Sequence, residues 1–100
     1  MYAVGMIVEH ALFTVAEADA EKFESAYAEA RQLLEQTEGM LWVRMHRGVE
    51  RPGSYQLLVG WESLEAHQVN FRETERFTRW RALIGPYFAA DPQVEHYREV

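Results

Sequence analysis

The sequence predicts a single α+β domain in which helices cover one face of an antiparallel sheet. Three observations predict this class: strand-like and helical segments alternate along the chain, a short turn at residues 51–54 joins two strands, and the second helical region is broken in two. The resulting order, β-α-β-β-α-β, is that of the ferredoxin-like fold. We therefore expect residues 1–100 to form one domain of this type.

The first strand is expected at residues 6–15, which are apolar apart from Glu9, His10 and Thr14. Apolar side chains occur on both of its alternating faces, which is typical of a strand covered on both sides. A long amphipathic helix follows, with Asp19 as its expected N-cap. The apolar face of this helix recurs at helical spacing, at Phe23, Ala26, Tyr27, Ala30, Leu33 and Leu34.

The remaining elements complete the predicted sheet. Strands at residues 40–49 and 55–61 are expected to form a hairpin. Ser63 and Thr74 are the expected caps of the two shorter helices, the first of which continues through Arg72. The last strand is expected at about residues 93–99, and in a ferredoxin-like sheet it lies beside the first strand.

A homodimer is predicted from the apolar side chains on both faces of the first and third strands. On the first strand, Ile7, Ala11 and Phe13 occupy one face, while Val8 and Leu12 occupy the other. A monomer with one bare sheet face would expose a large apolar patch. The simplest arrangement that covers it is a second copy of the chain, packed sheet against sheet about a two-fold axis.

Composition excludes several kinds of partner. The net charge of −6 lacks the basic stripe that nucleic acid requires, and no apolar run is long enough for a membrane span. No secretory signal is apparent, so the cytoplasm is the expected location. Cysteine is absent and the four histidines show no metal-ligand spacing, so we expect no metal site, and no metal or flavin cofactor.

A frame of residues in the second half of the chain supports this fold further. It consists of Tyr55, Trp61-Glu62-Ser63, Ala66-His67, Asn70-Phe71-Arg72, Phe77, Trp80-Arg81, Pro86, Phe88, Val94 and His96-Tyr97. The frame resembles the antibiotic biosynthesis monooxygenase (ABM) domain family, most specifically in its Trp-Glu-Ser strand end and its Phe-Arg…Trp-Arg helix. The resemblance implies a homodimeric α+β barrel. Members of that family include cofactor-free oxidases of aromatic polyketides, haem-degrading proteins and isomerases.

The resemblance carries over few site residues. The haem-degrading branch uses an Asn on the first strand, where this chain has His10, and a Trp and a His near residues 70–71 and 80–81, where neither residue type matches. The resemblance therefore does not imply haem degradation, although haem binding through another residue stays open. The polyketide-oxidising branch uses Asn and Trp side chains. Asn70, with Trp61 or Trp80, is the corresponding candidate here.

His10 and His96 are the candidate catalytic bases, together with Asn70 as a catalytic side chain. Both histidines are near mid-strand on strands expected to be neighbours, so we expect them to lie side by side over one cavity. Histidine titrates near neutrality and suits proton abstraction from a phenol. The alternative is a pair of half-buried histidines bonded to the backbone or to a tyrosine. His46, on the hairpin, is not expected to take part.

Candidate substrate-binding residues are His67, Trp61, Phe71, Trp80 and Tyr27. His67 is three residues from Asn70, so the two polar groups are expected on one helical face, with the aromatic side chains as pocket walls. The alternative for the aromatic residues is a purely structural place in the core.

Arg72 and Arg81 are expected to form surface ion pairs with carboxylates such as Glu65 and Glu73. The alternative is that these two arginines bind an acidic substrate.

The leading hypothesis is a cofactor-free enzyme that oxidises a small aromatic, phenol-like or quinol-like compound with molecular oxygen. A deprotonated, electron-rich substrate can itself give an electron to oxygen, so the protein must supply only a dry pocket, a base and hydrogen bonds. One alternative is a non-enzymatic dimer of the same fold that binds a small hydrophobic ligand or haem. Another is a dimer whose pocket is filled by its own side chains.

Overall fold

The computed structural model describes residues 5–100, so the first four residues of the predicted domain lie outside it. The elements within this range are β1 (Ile7–Thr14), α1 (Ala20–Glu35), β2 (Met40–Arg47), β3 (Ser54–Trp61), α2 (Leu64–Gln68), α3 (Glu75–Ile84) and β4 (Gln93–Arg98). Short 3-10 turns precede α1 and follow α3. The predicted order of elements is confirmed, including the break in the second helical region.

The four strands pair antiparallel in one sheet, in the order β2-β3-β1-β4. β2 and β3 form the predicted hairpin, and β1 and β4 are neighbours, as the ferredoxin-like arrangement requires. In the β1–β4 pair, Glu9 lies opposite His96, and His10 lies opposite Glu95. Because β4 is an edge strand, its residues are close to solvent as well as to β1.

The hydrophobic core lies between the sheet and the helices. Along β1 every second residue is buried: Ile7, Glu9, Ala11 and Phe13. Successive strand side chains point to opposite faces, so Glu9 shares the core face with its apolar neighbours. The other buried side chains that fill this layer include Phe23, Leu33, Leu34, Val43, Tyr55, Leu57, Val59, Trp61, Trp80 and Ile84.

The predicted helix caps differ in how they work. Ser63 is a true cap, because its Oγ accepts a hydrogen bond from the Ala66 amide at 3.1 Å. Asp19 and Thr74 occupy the N-cap positions of α1 and α3, but their side chains make no capping bond. The Thr74 hydroxyl instead donates to the carbonyl of Phe71 at 2.7 Å, which holds the turn between α2 and α3.

α2 is shorter than the sequence predicts. It ends at Gln68, whereas the apolar and polar pattern favours a helix through Arg72. The chain instead turns after Gln68, and the Asn70 side chain donates to the Glu38 carbonyl at 3.0 Å. This long-range bond holds the chain in the turn that follows α2 and contributes to its early end. The turn buries Phe71 in the core.

The outer sheet face is not covered by any element within residues 5–100. It carries Val8 and Leu12 of β1, Leu58 of β3 and Tyr97 of β4, of which Tyr97 is 52% exposed. Trp42 of β2 packs against Gly60, where any side chain would collide with its indole. Among the described residues, no helix is long and apolar enough to cross a membrane.

Candidate active site

A cavity of about 270 Å³ separates α2 and α3 from the β1–β4 half of the sheet. The sheet contributes Glu9 and Ala11 to its lining, and the helical layer contributes His67, Phe71 and Trp80. The lining is therefore mainly apolar, with a few polar groups among aromatic rings, as is usual for small-molecule sites. A space of this size accommodates a small ring system.

Among the described residues, Glu9 is the only carboxylate in the lining of this cavity, and its side chain is buried. The Trp61 indole Nε1 donates to Glu9 Oε1 at 3.0 Å, and His67 Nε2 lies 3.3 Å from the same oxygen. Both contacts involve Oε1, and within the described residues no hydrogen bond is made to the second carboxyl oxygen. A buried carboxyl group is costly unless it is hydrogen-bonded, and the Trp61 indole supplies one such bond.

His67 lies between Glu9 and His96 of the edge strand β4 and contacts both. Its Nδ1 lies 2.7 Å from Nε2 of His96, on the opposite side of the ring from Glu9. One of these two ring nitrogens donates and the other accepts, according to the tautomers of the two imidazoles. Glu9, His67 and His96 thus form a continuous series of close polar contacts from the cavity to β4.

Burial shifts the pKa values of all three groups towards their neutral forms. Desolvation raises the pKa of Glu9 from 4.5 to about 7, against the hydrogen bond from Trp61 and the charge of Arg72. Desolvation also lowers the pKa of His67 from 6.5 to about 3, and the His96 and Arg72 charges lower it further. The pKa of His96 is lowered as well, by burial and then by Arg72.

The contact between Glu9 and His67 is therefore not an ion pair at neutral pH. His67 is then a neutral imidazole, while Glu9 is close to half ionised. Carboxyl groups with a pKa near the working pH are suited to both accepting and releasing a proton. Glu9 therefore changes its protonation state near neutral pH, whereas the two imidazoles stay in their neutral form.

Aromatic rings fix the positions of the polar groups. The Trp61 indole stacks on the His67 imidazole with 5.1 Å between ring centroids and 21° between planes. Phe71 lies against both rings and meets Trp80 edge-on. Trp61 is fully buried beneath the cavity and acts through Glu9, whereas Phe71 and Trp80 line the space itself.

Two arginines stand at the exposed side of the cavity. Arg72 lies in the turn after α2 and Arg81 lies on α3, and both contribute to the lining. Their guanidinium carbons lie 5.0 Å and 5.9 Å from the centroid of the Phe77 ring. Neither forms an ion pair among residues 5–100, so the predicted pairing with surface carboxylates is wrong. The turn after α2 brings Arg72 towards the cavity instead.

The structure separates the two histidines expected to share a cavity. His96 is opposite Glu9 and bonds to His67, but His10 is one residue out of register and lies on the outer sheet face. There its ring meets Tyr97 edge-on at 6.1 Å. The prediction that His10 and His96 lie side by side is therefore wrong, because adjacent strand residues point to opposite faces.

Asn70 and Tyr27 also lie outside this cavity. Asn70 lies beyond the end of α2, so it does not share a helical face with His67. Its side-chain amide donates to the Glu38 carbonyl. Tyr27 lines a separate pocket with Tyr55, and its buried hydroxyl has no hydrogen-bond partner among the described residues. Its ring meets Trp80 edge-on at 6.3 Å, so it supports a wall of the cavity from behind.

Sequence reasoning missed Glu9, although a signal was present. Glu9 is a carboxylate in a strand that is otherwise apolar apart from His10 and Thr14. It also has the same parity as Ile7 and Ala11, which places it on the core face. A charged residue at such a position is rarely buried without a partner, so it marks a candidate functional site.

The three linked polar groups form a chain and do not converge on a point. His67 turns one ring nitrogen to Glu9 and the other to His96, so no common centre exists for a metal ion. More widely, no group of three His, Asp or Glu side chains within the described residues is placed to hold a metal. The arrangement is suited to holding and moving a proton.

Comparison with known proteins gives a consistent result. The model of the antibiotic biosynthesis monooxygenase family matches residues 6–83. The uncharacterized protein YczJ of Bacillus subtilis (strain 168) is 30% identical over 95 residues, which span 95% of this chain and 100% of YczJ. Similarity therefore extends over nearly the whole chain.

Solved structures agree with this match. A candidate antibiotic biosynthesis monooxygenase from Bordetella bronchiseptica superposes with a TM-score of 0.91 and 41% identity, covering 96% of this chain and 98% of its own. SnoaB, a cofactor-independent oxygenase from Streptomyces nogalater, superposes with a TM-score of 0.80 and 16% identity, covering 96% of this chain and 94% of SnoaB. At that identity the likeness to SnoaB concerns the fold.

Proposed function

The chain belongs to the antibiotic biosynthesis monooxygenase family, and we propose that it is a cofactor-independent monooxygenase of a small aromatic, phenol-like or quinol-like compound. The observation that carries this proposal is Glu9, a buried carboxyl with a pKa of about 7 in the lining of an aromatic cavity. SnoaB, which has the same fold, is a cofactor-independent oxygenase. The family relationship supports the reaction class, and Glu9 supports the mechanism.

The reaction requires no electron source beyond the substrate. A phenol that loses its proton to the base becomes a phenolate, which transfers one electron to oxygen. The resulting radical and superoxide combine into a new carbon–oxygen bond, and a proton returned to the peroxide gives a hydroperoxide. Loss of water from this hydroperoxide, with the hydrogen of the same ring carbon, leaves a quinone. One atom of molecular oxygen stays in the product and the other leaves as water.

The linked residues have separate roles in this scheme. The ionised fraction of Glu9 takes the phenolic proton through the carboxyl oxygen that Trp61 and His67 leave free. His67 holds the carboxyl group in place, and His96 connects it to the sheet edge, where protons exchange with water. The positive charge of Arg72, which already lowers the pKa of Glu9, favours the phenolate as well.

A homodimer through the outer sheet face belongs to the same proposal. Val8, Leu12 and Leu58 form an apolar strip across β1 and β3, with Trp42 at one side and Tyr97 at the other. A sheet face of this composition favours burial against a second copy. Dimerisation leaves the cavity accessible, because it lies on the other side of the sheet.

Oxygen uptake tests the proposed reaction. The purified chain is incubated with simple hydroquinones and naphthols under isotopically labelled oxygen gas, with His46→Ala as a control variant on the hairpin. We expect uptake by both proteins, label in the quinone product and no accumulation of hydrogen peroxide. Peroxide without label in the product would show an oxidase and contradict the proposal. No uptake above the uncatalysed rate, together with a Soret band on adding haem, would favour the ligand-binding alternative.

A further inference from the structure

The exposed side of the cavity carries more positive charge than the proposed reaction uses. Arg72 and Arg81 are the two basic side chains other than histidine in its lining. They come from different elements, yet both guanidinium groups lie over the same Phe77 ring. The turn after α2 and the helix α3 thus direct two cations to one opening.

No carboxylate within the described residues neutralises these two cations. Arg31 pairs with Glu35 at 3.6 Å, and Arg47 pairs with Glu24 at 3.5 Å. The chain carries 16 acidic side chains against 10 basic ones, so carboxylates are available for pairing. Within residues 5–100, however, neither arginine of the cavity has an ion pair or a side-chain hydrogen bond.

The positive charge also reaches into the cavity. Arg72 acts on Glu9, His67 and His96 at once, and in each case its charge favours the less protonated form. An anionic group placed beside it would gain the same attraction. Arginine suits a carboxylate in particular, because its planar guanidinium can donate two parallel hydrogen bonds to the two oxygens.

We infer that the substrate is an aromatic acid, whose ring lies between Phe71, Phe77 and Trp80 and whose carboxylate is held at the opening by Arg72 and Arg81. The inference rests on the proposed function for the reacting part of the molecule. It adds the chemical class: a small ring system with an electron-rich hydroxyl at one end and a carboxylate at the other. The hydroxyl points towards Glu9 and the carboxylate towards solvent.

Binding of unreactive probes tests this inference without any oxygenase assay. 2-Naphthoate and 2-naphthamide have nearly the same shape but differ in charge, and neither has a phenolic hydroxyl to oxidise. Isothermal titration calorimetry at neutral pH should give about tenfold or tighter binding of the acid, as expected for at least one charge-assisted hydrogen bond. Added salt should weaken binding of the acid more than binding of the amide.

Three variants assign the preference to the two arginines. Arg72→Gln and Arg81→Gln should each reduce the preference for the acid several-fold, and the double variant should abolish it while leaving amide binding unchanged. Arg79→Gln is the matched control, because Arg79 is exposed on α3 and does not line the cavity. Thermal melts establish that each variant folds.

The outcomes separate this inference from the proposed function. Equal affinity for acid and amide, or a preference that survives the double substitution, overturns the inference even if neutral phenols are oxidised. A preference that depends on both arginines supports the inference even if no substrate consumes oxygen, in which case only the reaction class fails.

Discussion

Glu9 places a carboxyl group inside the core, between the Trp61 indole and the His67 imidazole. Burial opposes its ionised form, and the pKa near 7 expresses that cost. A glutamine of the same shape would accept the same hydrogen bonds without the cost of ionisation. The carboxyl therefore lowers the unfolding free energy at neutral pH. Functional groups held in apolar sites commonly reduce stability in this way.

Glu9→Gln should stabilise the fold in a pH-dependent way. The folded pKa of about 7 lies above the ordinary value of 4.5, so the unfolding free energy of the native chain falls as pH rises between these values. Glu9→Gln does not lose stability in this way. The difference in unfolding free energy between the variant and the native chain should therefore be about 3 kcal/mol larger above pH 7 than below pH 4.5. Urea denaturation of both proteins across this range checks it.

The pH dependence of the native chain alone would not reveal this effect. His67 contributes an opposite slope, because its folded pKa of about 3 lies below 6.5 and its contribution is lost as pH falls between them. The two slopes overlap between pH 4.5 and 6.5 and partly cancel. A constant difference between the native chain and Glu9→Gln at all pH values would contradict the buried, titrating carboxyl.

At the scale of elements, the short helix α2 positions the site. Ala66 of α2 packs over Gly39, the residue that leads into β2, and this contact seats the turn carrying Phe71 and Arg72. Gly39 has φ +94°, and a side chain there would bring its Cβ to 2.6 Å from the Ala66 Cβ. Both the backbone conformation and the close approach require glycine.

Gly39→Ala should therefore destabilise the protein by more than about 1 kcal/mol, since the new side chain is both strained and crowded. Displacement of α2 should also weaken ligand binding in the cavity. Gly85→Ala is the matched control, because Gly85 has a helical φ of −57° and a Cβ there would meet only Arg81 Nε at 3.9 Å. Denaturant midpoints compare the two; a Gly39→Ala midpoint equal to that of Gly85→Ala would contradict the role of this contact.

Periodicity predicted the type and order of the elements correctly, because helices and strands are decided largely by local patterns, but it placed the end of α2 too late. The positions of the site residues depended on strand register and on where α2 ends, which periodicity does not give. The register of β1 and β4 places His96 opposite Glu9 and leaves His10 on the other face of the sheet. A shift of one residue would reverse this, and local sequence patterns do not specify the register. The direction of Arg72 likewise depends on where α2 ends, and a tertiary bond from Asn70 to Glu38 contributes to that end.

At the scale of the whole molecule, the two faces of the sheet differ in what they contact. The inner face holds the core and the cavity, while the outer face presents Val8, Leu12 and Leu58 with no covering element within residues 5–100. In the proposed dimer these side chains are buried against a second copy. The chemistry and the assembly thus use alternate residues of the same central strand, β1.

Leu58→Asp should dissociate the dimer, because it would bury an unpaired charge in the interface. Val49→Asp is the control: Val49 is 88% exposed in the hairpin turn, so its substitution should leave the assembly unchanged. Sedimentation equilibrium at micromolar concentration measures both. A native chain that sediments as a clean monomer would contradict the dimer, as would a Leu58→Asp variant that remains dimeric.

The pH profile of oxygen uptake, compared between the native chain and Glu9→Gln, tests the central claim most directly. The native rate should rise with pH through an apparent pKa near 7, the value of Glu9, because the base must be ionised. Neither His67 nor His96 can produce this step, since the pKa of each is lowered. Glu9→Gln should lower the rate by about 10²–10⁴-fold and remove the step. A variant that keeps the native rate, or the same apparent pKa, would contradict the assignment of Glu9 as the base.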